Sequence, residues 1–259
     1  MDLMHTAAGF LVGAMVGMTG VGGGALMTPI LVLLFGVVPA TAVGTDLWFA
    51  ALTKIVGGLM HHRRGSVDWQ VLRRLCLGSL PTSILTLAWL HSSGQGQVRH
   101  GLILTSLGCV LILTAVAIVF RARTQAWGKA LRTRAPDEFK RAQPAATVLA
   151  GIILGFLVTL TSVGAGALGV VMLVYLYPFR MQPARLVGTD IMHAIPLTLL
   201  AGTGHLWMGN VNIGLLGNLL LGSVPGVICG TLLGAKVPES MLRTAIAIVL
   251  TAVGFKLVF

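Results

Sequence analysis

The sequence has 259 residues, of which 56% are hydrophobic and only 10% are charged, and its formal net charge is +11. A soluble globular domain carries about 25% charged residues because its surface must meet water. The composition therefore excludes a soluble enzyme, a nucleic-acid-binding domain and a disordered chain. The 34 glycines lie largely within apolar stretches, as is typical of membrane helices. We predict an all-α polytopic membrane protein.

Apolar stretches of membrane-spanning length follow one another along the chain, since a helix needs about 20 residues to cross the hydrocarbon core. We identify eight of them, at residues 4–35, 41–60, 72–90, 98–120, 145–177, 185–206, 212–234 and 239–258. The first and the fifth are too long for one straight helix, and each has a glycine cluster in its middle. We therefore expect about eight transmembrane segments, with the first and the fifth broken at these clusters.

The second half of the chain repeats the first. A shift of 142 residues aligns 19–34 with 161–176, and nine of the 16 positions are identical. After a two-residue insertion, six of the eight positions in 39–46 match 183–190. Many of the matched residues are Gly, Pro, Thr and Asp, so shared hydrophobicity does not explain them. The predicted organisation is a first transmembrane repeat, a basic cytoplasmic loop and a second transmembrane repeat, at 1–120, 121–143 and 144–259.

The basic residues are clustered between apolar stretches, and their positions predict a topology. Seven of the 18 lie between Arg121 and Arg141, and four more flank the loop at 61–74. The positive-inside rule predicts that both segments are cytoplasmic. If each broken segment crosses once, the repeats are parallel and both termini are cytoplasmic, but Arg180 and Arg185 then lie outside. If the broken segments are re-entrant hairpins, an inverted repeat is allowed instead.

Several motifs carry a family resemblance. They are GMTGVGGGALMTPIL at 17–31, VGTDL at 43–47, His61-xxx-Gly65-Ser-Val-Asp68 and Gly78-Ser-Leu-Pro81. With these motifs the chain resembles the TauE/SafE family of sulfite exporters over nearly its whole length. The resemblance implies a secondary transporter for sulfite, organosulfonates or related sulfur anions. The second repeat departs from the pattern at three positions: Ala165 replaces the middle glycine, Val171 replaces Pro29, and Asn212 replaces Asp68.

The glycine clusters predict an anion site. A helix that breaks inside the membrane exposes backbone N–H groups at the start of the next half-helix, where the partial charge is positive. Two such breaks, one per repeat, would converge near the midplane and hold one oxyanion. The alternative is that the glycines only allow close helix packing. The predicted substrate-binding residues are Thr19, Gly22, Gly23, Gly24, Thr161, Ser162, Gly164, Ala165 and Gly166.

Two acids lie inside the predicted spans, Asp46 and Asp190, and each follows a Gly-Thr pair. Acids within a membrane are functional by default. Together with Thr45 and Thr189 they are candidates for proton coupling or gating. The alternative is that they cap helix N-termini close to the outer interface.

A lysine and several histidines complete the candidates. Lys54 lies eight residues after Asp46, on broadly the same helix face, where it would attract an anion, form an ion pair or snorkel to the headgroups. His193 follows Asp190 by one turn and is a further coupling candidate, although an interior histidine with satisfied hydrogen bonds is the preferred interpretation. Structural roles are predicted for His61, His205, Pro81 and Pro225.

The expected function is export of a sulfur anion by alternating access. Outward movement of one negative charge gains ~2.3 kcal/mol per 100 mV in a cell that is negative inside. Proton- or sodium-coupled import of another small organic anion is the alternative. An intramembrane hydrolase is disfavoured, because neither a Ser–His pair on a glycine-rich turn nor an HExxH helix occurs. A cation channel is disfavoured by the basic charge balance.

We expect the protein in the cytoplasmic (inner) membrane, with a small anionic substrate and membrane lipid as its partners. No nucleic acid, metal, cofactor or enzymatic activity is expected. A homodimer is left open.

Overall fold

A computed structural model describes residues 3–19, 24–93, 97–234 and 239–258. Within these ranges the chain forms ten α-helices and no strand, which confirms the all-helical prediction. In chain order they are α1 (Leu3–Thr19), α2 (Gly24–Leu33), α3 (Pro39–Arg63), α4 (Trp69–Ser92), α5 (Gln97–Arg134), α6 (Pro136–Thr161), α7 (Ala167–Leu176), α8 (Pro183–Trp207), α9 (Ile213–Gly234) and α10 (Glu239–Val258).

Six helices in the described ranges are long and apolar enough to cross a membrane. They are Pro39–Arg63, Trp69–Ser92, Gly101–Arg134, Pro136–Thr161, Pro183–Trp207 and Ile213–Gly230. Shorter apolar helices cover Leu3–Met18, Ala167–Leu176 and Thr244–Val258. These lengths confirm a multi-pass membrane protein, whereas the number of eight transmembrane segments stays a prediction.

The two segments with glycine clusters fold back on themselves. The ring of His5, at the start of α1, lies 4.5 Å from the ring of Phe35, just after the end of α2. In the second half, Gln143 near the start of α6 donates to the carbonyl of Leu176 at the end of α7, at 2.6 Å. Both ends of each segment therefore lie on the same side of the molecule. The expectation that each segment crosses once is wrong, and the re-entrant alternative describes the fold.

Helices at equivalent places in the two halves run in opposite directions. Gly44 near the start of α3 packs on His205 near the end of α8, and Gly188 near the start of α8 packs on His61 near the end of α3. Helices α5 and α10 are antiparallel in the same way, because Gly108 lies against Val258 at the end of α10, whereas Ile112, one turn later in α5, lies against Gly254, one turn earlier in α10. Parallel repeats would place equivalent helices in the same direction, so the helix directions agree with the inverted alternative.

Glycines allow the closest helix contacts, in matching pairs from the two halves. A Cβ on Gly9 of α1 would lie 2.2 Å from the carbonyl oxygen of Leu219 on α9. A Cβ on Gly151 of α6 would lie 2.2 Å from the carbonyl oxygen of Leu75 on α4. Small residues at such positions let membrane helices approach backbone to backbone. The packing interpretation of glycine therefore applies to these helix faces.

Basic side chains gather at one side of the bundle, which we call the basic face (Arg74, Lys129, Arg180 and their neighbours). Arg180, just after α7, pairs with Asp68 just before α4 at 2.8 Å. Lys129 of α5 lies over the ring of Phe179 at 5.9 Å, and Arg74 donates to the Tyr177 hydroxyl at 3.3 Å. The ends of α3, α5 and α7 thus share one face.

The start of α1 and the end of α10 lie on the face opposite the basic face. Helix α1 begins beside the segment that leads into α3, and α3 runs from there towards the basic face. The last turn of α10 packs on Gly108, in the early part of α5, and α5 also ends at the basic face. The parallel arrangement had placed the termini and the basic segments on the same side.

The basic segment 121–143 is helical and not an open loop. Residues up to Arg134 continue α5, and α6 begins at Pro136 after a one-residue connection. Lys and Arg are good helix formers, and proline is favoured in the first turn of a helix. Asp137 and Glu138 in the first turn of α6 also complement the positive end of its dipole. Its position on the cytoplasmic side stays a prediction.

Candidate functional site

Three charged side chains are buried between the two halves. The exposed fractions are 0% for Asp46, 2% for Asp190 and 5% for Lys54. Helices α3 and α8 begin at Pro39 and Pro183, so each acid lies about two turns inside its helix and neither caps it. The N-cap interpretation of the two acids is therefore wrong.

Lys54 joins the two halves of the protein. Its ammonium donates a hydrogen bond to the carbonyl oxygen of Ala165, in the turn between α6 and α7, at 3.1 Å. It also interacts electrostatically with both Asp190 and Asp46. A side chain buried in this way does not reach the headgroups, so the snorkelling interpretation is wrong. A buried lysine needs such compensation, because removing its charge from water is costly.

The turn between α6 and α7 holds the predicted glycine cluster of the second half. Ser162, Gly164 and Gly166 have φ angles of 61°, 122° and 123°, which glycine adopts readily and other residues rarely. The backbone N–H groups of Leu168 and Gly169 both donate to the Gly164 carbonyl. Thr161 ends α6, and its hydroxyl accepts from the Val163 N–H at 3.2 Å. The predicted break in the helix is confirmed here.

Asp190 occupies the N-terminus of α7. The backbone N–H of Gly166 interacts with its carboxylate. Three residues further on, still in the first turn of α7, a Cβ on Gly169 would lie only 2.0 Å from Asp190 Oδ1. The carboxylate therefore rests on the first turn of α7, where a helix attracts negative charge. The Gly166 N–H, which was expected to face a substrate anion, meets the protein's own carboxylate.

Gly169 is the site residue that sequence reasoning missed. The repeat alignment places it opposite Met27, whose side chain is fully buried on α2. A glycine that replaces a large core residue in only one repeat is the signal that would have identified it. Because of this difference, Asp190 lies against the Gly169 position on α7, whereas Asp46 meets α2 through the hydroxyl and the backbone N–H of Thr28.

Asp46 is held in a different way. Its Oδ2 accepts a hydrogen bond from the Thr28 hydroxyl on α2 at 2.5 Å. The Ser162 side chain lies beside the same carboxylate. Among the described residues, Asp46 Oδ1, Asp190 Oδ1 and Ser162 Oγ are buried without a hydrogen-bond partner. Unpaired polar atoms of this kind are rare in protein interiors and call for an explanation.

The first glycine cluster stays a prediction. Gly22 and Gly23 lie outside the described residues. Thr19 ends α1 and Gly24 begins α2, which agrees with a break between them, but their part in a substrate site is untested.

His193 completes the buried cluster. Its side chain is fully buried, and Nε2 lies 2.9 Å from the Ser79 hydroxyl on α4. It also interacts electrostatically with Lys54. The hydrogen bond to Ser79 agrees with an interior histidine, although Nδ1 has no partner among the described residues.

Thr45 and Thr189 point away from the charged cluster and brace the two halves. The Thr189 hydroxyl accepts from the backbone N–H of Asp68 at 2.9 Å, and the Thr45 hydroxyl accepts from that of Asn212 at 3.1 Å. Asp68 and Asn212 stand at the N-termini of α4 and α9. The two threonines therefore support helix ends, and the structure does not bring them to the acids' site.

The predicted structural residues lie at helix ends and inside helices. His61 Nδ1 lies 2.9 Å from the Ser66 hydroxyl, and His205 Nε2 lies 3.0 Å from the Thr159 carbonyl oxygen. The glycines after them, Gly65 and Gly209, have φ angles of 63° and 75°, as helix-ending glycines do. Pro81 and Pro225 stand inside α4 and α9.

Asp68 combines a helix cap with an ion pair on the basic face. Its Oδ1 accepts from the Val71 N–H at 3.3 Å, while Arg180 approaches both carboxylate oxygens at 2.8 and 3.0 Å. The equivalent Asn212 caps α9 through the Leu215 N–H at 3.0 Å. Arg180 lies between the aligned stretches 161–176 and 183–190 of the second repeat, where the two-residue insertion falls, so the sequence alignment gave it no equivalent in the first repeat.

We expect Asp68→Asn to lower the free energy of unfolding little, because asparagine keeps the cap and Arg180 is 42% exposed, where ion pairs contribute about 0–1 kcal/mol. Asp68→Ala should destabilise by about 1–2 kcal/mol, since it also removes the cap. Thermal unfolding of the purified variants in detergent measures the difference. Equal destabilisation by both variants would show that the cap contributes nothing.

Comparisons with known proteins point to one family. The model of the family described as "Sulfite exporter TauE/SafE" matches residues 5–257. The "Probable membrane transporter protein YjnA" of Bacillus subtilis is 39% identical over 257 residues, which cover 96% of this chain and 97% of that protein. Its YdhB counterpart from the same organism is 27% identical over 96% of this chain and 97% of its own length.

A more distant relative occurs in an archaeon. The "Probable membrane transporter protein MJ0441" of Methanocaldococcus jannaschii is 25% identical over 95% of this chain and 89% of its own length. No solved structure matches the chain significantly.

Proposed function

Because this chain belongs to the sulfite exporter TauE/SafE family, we propose that it is a secondary transporter that moves small sulfur-containing anions, sulfite or an organosulfonate, out of the cell. Membership of the family makes it a membrane transporter and not an enzyme. We infer that the substrate is negatively charged from one observation: the buried ammonium of Lys54 contacts the glycine turn at the start of α7.

Several donors at this turn suit a small oxyanion. The positive end of the α7 dipole, the Lys54 ammonium and the Ser162 hydroxyl beside Asp46 lie in one buried region. Charge-assisted hydrogen bonds from lysine and from helix N-termini are the usual means of holding sulfate-like groups. Irregular backbone is tolerated at membrane depth where it lines a binding cavity.

We propose that transport proceeds by alternating access of two inverted halves. The antiparallel pairs α3/α8 and α5/α10 support a pseudo-two-fold axis in the membrane plane. In transporters built this way, the substrate binds near the axis, and the two halves exchange conformations to open the site to either side. Broken helices at the axis are a common feature of such sites.

We propose that the basic face is cytoplasmic, which follows the positive-inside rule and places Arg180 inside with the other arginines. A cysteine at Leu3 or Ser93 should then react with an impermeant thiol reagent added to intact cells, and one at Ala130 should not. The variants are made after removal of Cys76, Cys109 and Cys229. Protection at Leu3 together with reaction at Ser93 would contradict the inverted arrangement.

Flux into and out of proteoliposomes tests the proposed function. Vesicles loaded with methanesulfonate or sulfite should lose it faster when they contain the protein, and an imposed potential should reveal whether net charge moves. Absence of protein-dependent flux for both anions would refute a sulfur-anion transporter. Faster flux of chloride than of either sulfur anion would point to a different substrate class.

A second candidate is coupled import of a small anion. Uncoupled export of an anion requires no acid in the membrane, yet Asp46 and Asp190 are both buried beside Lys54. Buried acids in transporters are typical of proton or sodium coupling. The same vesicles distinguish the two candidates, since a coupled transporter moves the anion up its gradient when a proton or sodium gradient is imposed.

A further inference from the structure

We propose that Asp190 is a built-in competitor of the transported anion. Its carboxylate occupies the N-terminus of α7 when no substrate is bound, and a substrate anion replaces it there only when Asp190 takes up a proton. One proton therefore moves with each anion, in the same direction. This inference rests on the proposed anion transport but not on the direction of export.

Groups from the α6–α7 turn and from α3 hold Asp190. The Gly166 N–H and the positive end of α7 meet its carboxylate, and Lys54 compensates its charge from α3. These are the same donors that a substrate oxyanion would use at this turn. Gly169 lets the Asp190 carboxylate lie against the first turn of α7. The position in which a substrate anion would come closest to this turn is therefore already occupied by Asp190.

Two anions cannot share this place without strong repulsion. Like charges a few ångströms apart in a protein interior disfavour each other's ionised form, as in pairs of carboxylates that share one proton. A substrate with permanent negative charge cannot be neutralised, so Asp190 must take the proton. The neutral carboxylic acid is no longer attracted to the positive end of α7. The substrate anion then binds the Gly166 N–H and the Lys54 ammonium in its place.

The surroundings of Asp190 contain few other charges. Among the described residues, α3 contributes Lys54 directly and Asp46 through the shared lysine. Helix α7 contributes backbone only, and α8 itself contributes His193, whose ring is bonded to Ser79 of α4. Asp46 differs from Asp190 because its carboxylate meets the hydroxyl and the backbone N–H of Thr28 inside α2, whereas Asp190 meets the Gly166 N–H at the start of α7.

The proton balance keeps the charge of the cluster constant. The site gains one negative charge with the substrate and one positive charge with the proton, and both leave together on the other side. The membrane potential then does no work on the cycle. A tenfold anion gradient is balanced by one pH unit, so export proceeds when the anion accumulates inside beyond the opposing pH gradient.

The test measures protons and binding together on the purified full-length protein. The probe is methanesulfonate, which stays ionised at all relevant pH values. We expect uptake of one proton per bound anion in weakly buffered solution with an indicator dye. We also expect the affinity to fall about tenfold per pH unit on the alkaline side, as linkage to one proton requires.

Asp190→Asn should bind the anion with no proton uptake and with an affinity that does not change with pH, because the amide cannot carry the competing charge. Asp68→Asn is the matched control, since it removes a carboxylate of the same size on the basic face, and it should retain both the proton uptake and the pH dependence. If Asp190→Asn does not fold, the proton count of the wild-type protein decides alone.

The outcomes separate the inference from the proposed function. Binding of methanesulfonate without proton uptake would overturn the competitor role and leave anion transport standing. If only sulfite binds, its own protonation is subtracted and the same criterion applies. Failure of both sulfur anions to bind would overturn the proposed function and this inference with it.

Discussion

Replacing Lys54 with glutamine should weaken binding of methanesulfonate at least about thirtyfold and abolish its flux. Loss of one partner from a buried, hydrogen-bonded charge pair costs about 2–5 kcal/mol, much of it from the charges left unpaired. Here the variant would remove the donor to Ala165 and the charge that compensates both Asp46 and Asp190. Calorimetric binding to purified protein measures the effect directly.

Lys129→Gln is the matched control for this experiment. Lys129 is exposed at the basic face and lies over the ring of Phe179, so its loss should leave anion affinity within about twofold, as surface substitutions usually do. Lys54→Arg keeps the charge and should retain part of the binding. Wild-type affinity in a folded Lys54→Gln protein would show that the anion site lies elsewhere.

A single methyl group at Gly169 should reduce transport at least about tenfold and destabilise the protein by about 1–3 kcal/mol, the range for overpacking a core. The new Cβ would lie 2.0 Å from Asp190 Oδ1, so the carboxylate must leave the α7 backbone or the helices must separate. Flux in proteoliposomes and thermal unfolding in detergent report the two effects.

Gly217→Ala is the control, because a Cβ on Gly217 of α9 has no neighbour within 4 Å. Alanine is also a better helix residue than glycine, so this variant should be at least as stable as the wild type. If Gly169→Ala behaved like Gly217→Ala in both flux and stability, the close contact between Asp190 and α7 would not be required for transport.

Local sequence signals predicted the helices, the helix breaks and the buried acids. Hydrophobic length identifies a membrane helix, and a glycine cluster in an apolar stretch indicates a break, as Gly164 and Gly166 now illustrate. Asp46 and Asp190 stood out because acids are rare inside apolar spans. Each of these signals depends on a few neighbouring residues only.

The fold-back of the broken segments could not be predicted, because it depends on contacts between distant residues. A single crossing and a hairpin have the same apolar length, and the choice decides whether the halves are parallel or inverted. The burial of Lys54 depends on Ala165, which is 111 residues away in the chain. Thr189 likewise braces Asp68, 121 residues away, although its sequence position beside Asp190 suggested a part in coupling.

Location of the bound anion tests the central claim most directly. Crystals of the full-length protein grown with bromomethanesulfonate would show the bromine by its anomalous scattering. We expect a single strong peak beside the Lys54 ammonium and the first turn of α7, with the Asp190 carboxylate moved away from Gly166. A bromine peak in the apolar groove between α4 and α8, lined by Leu87 and Trp207, with Asp190 still on α7, would contradict the account.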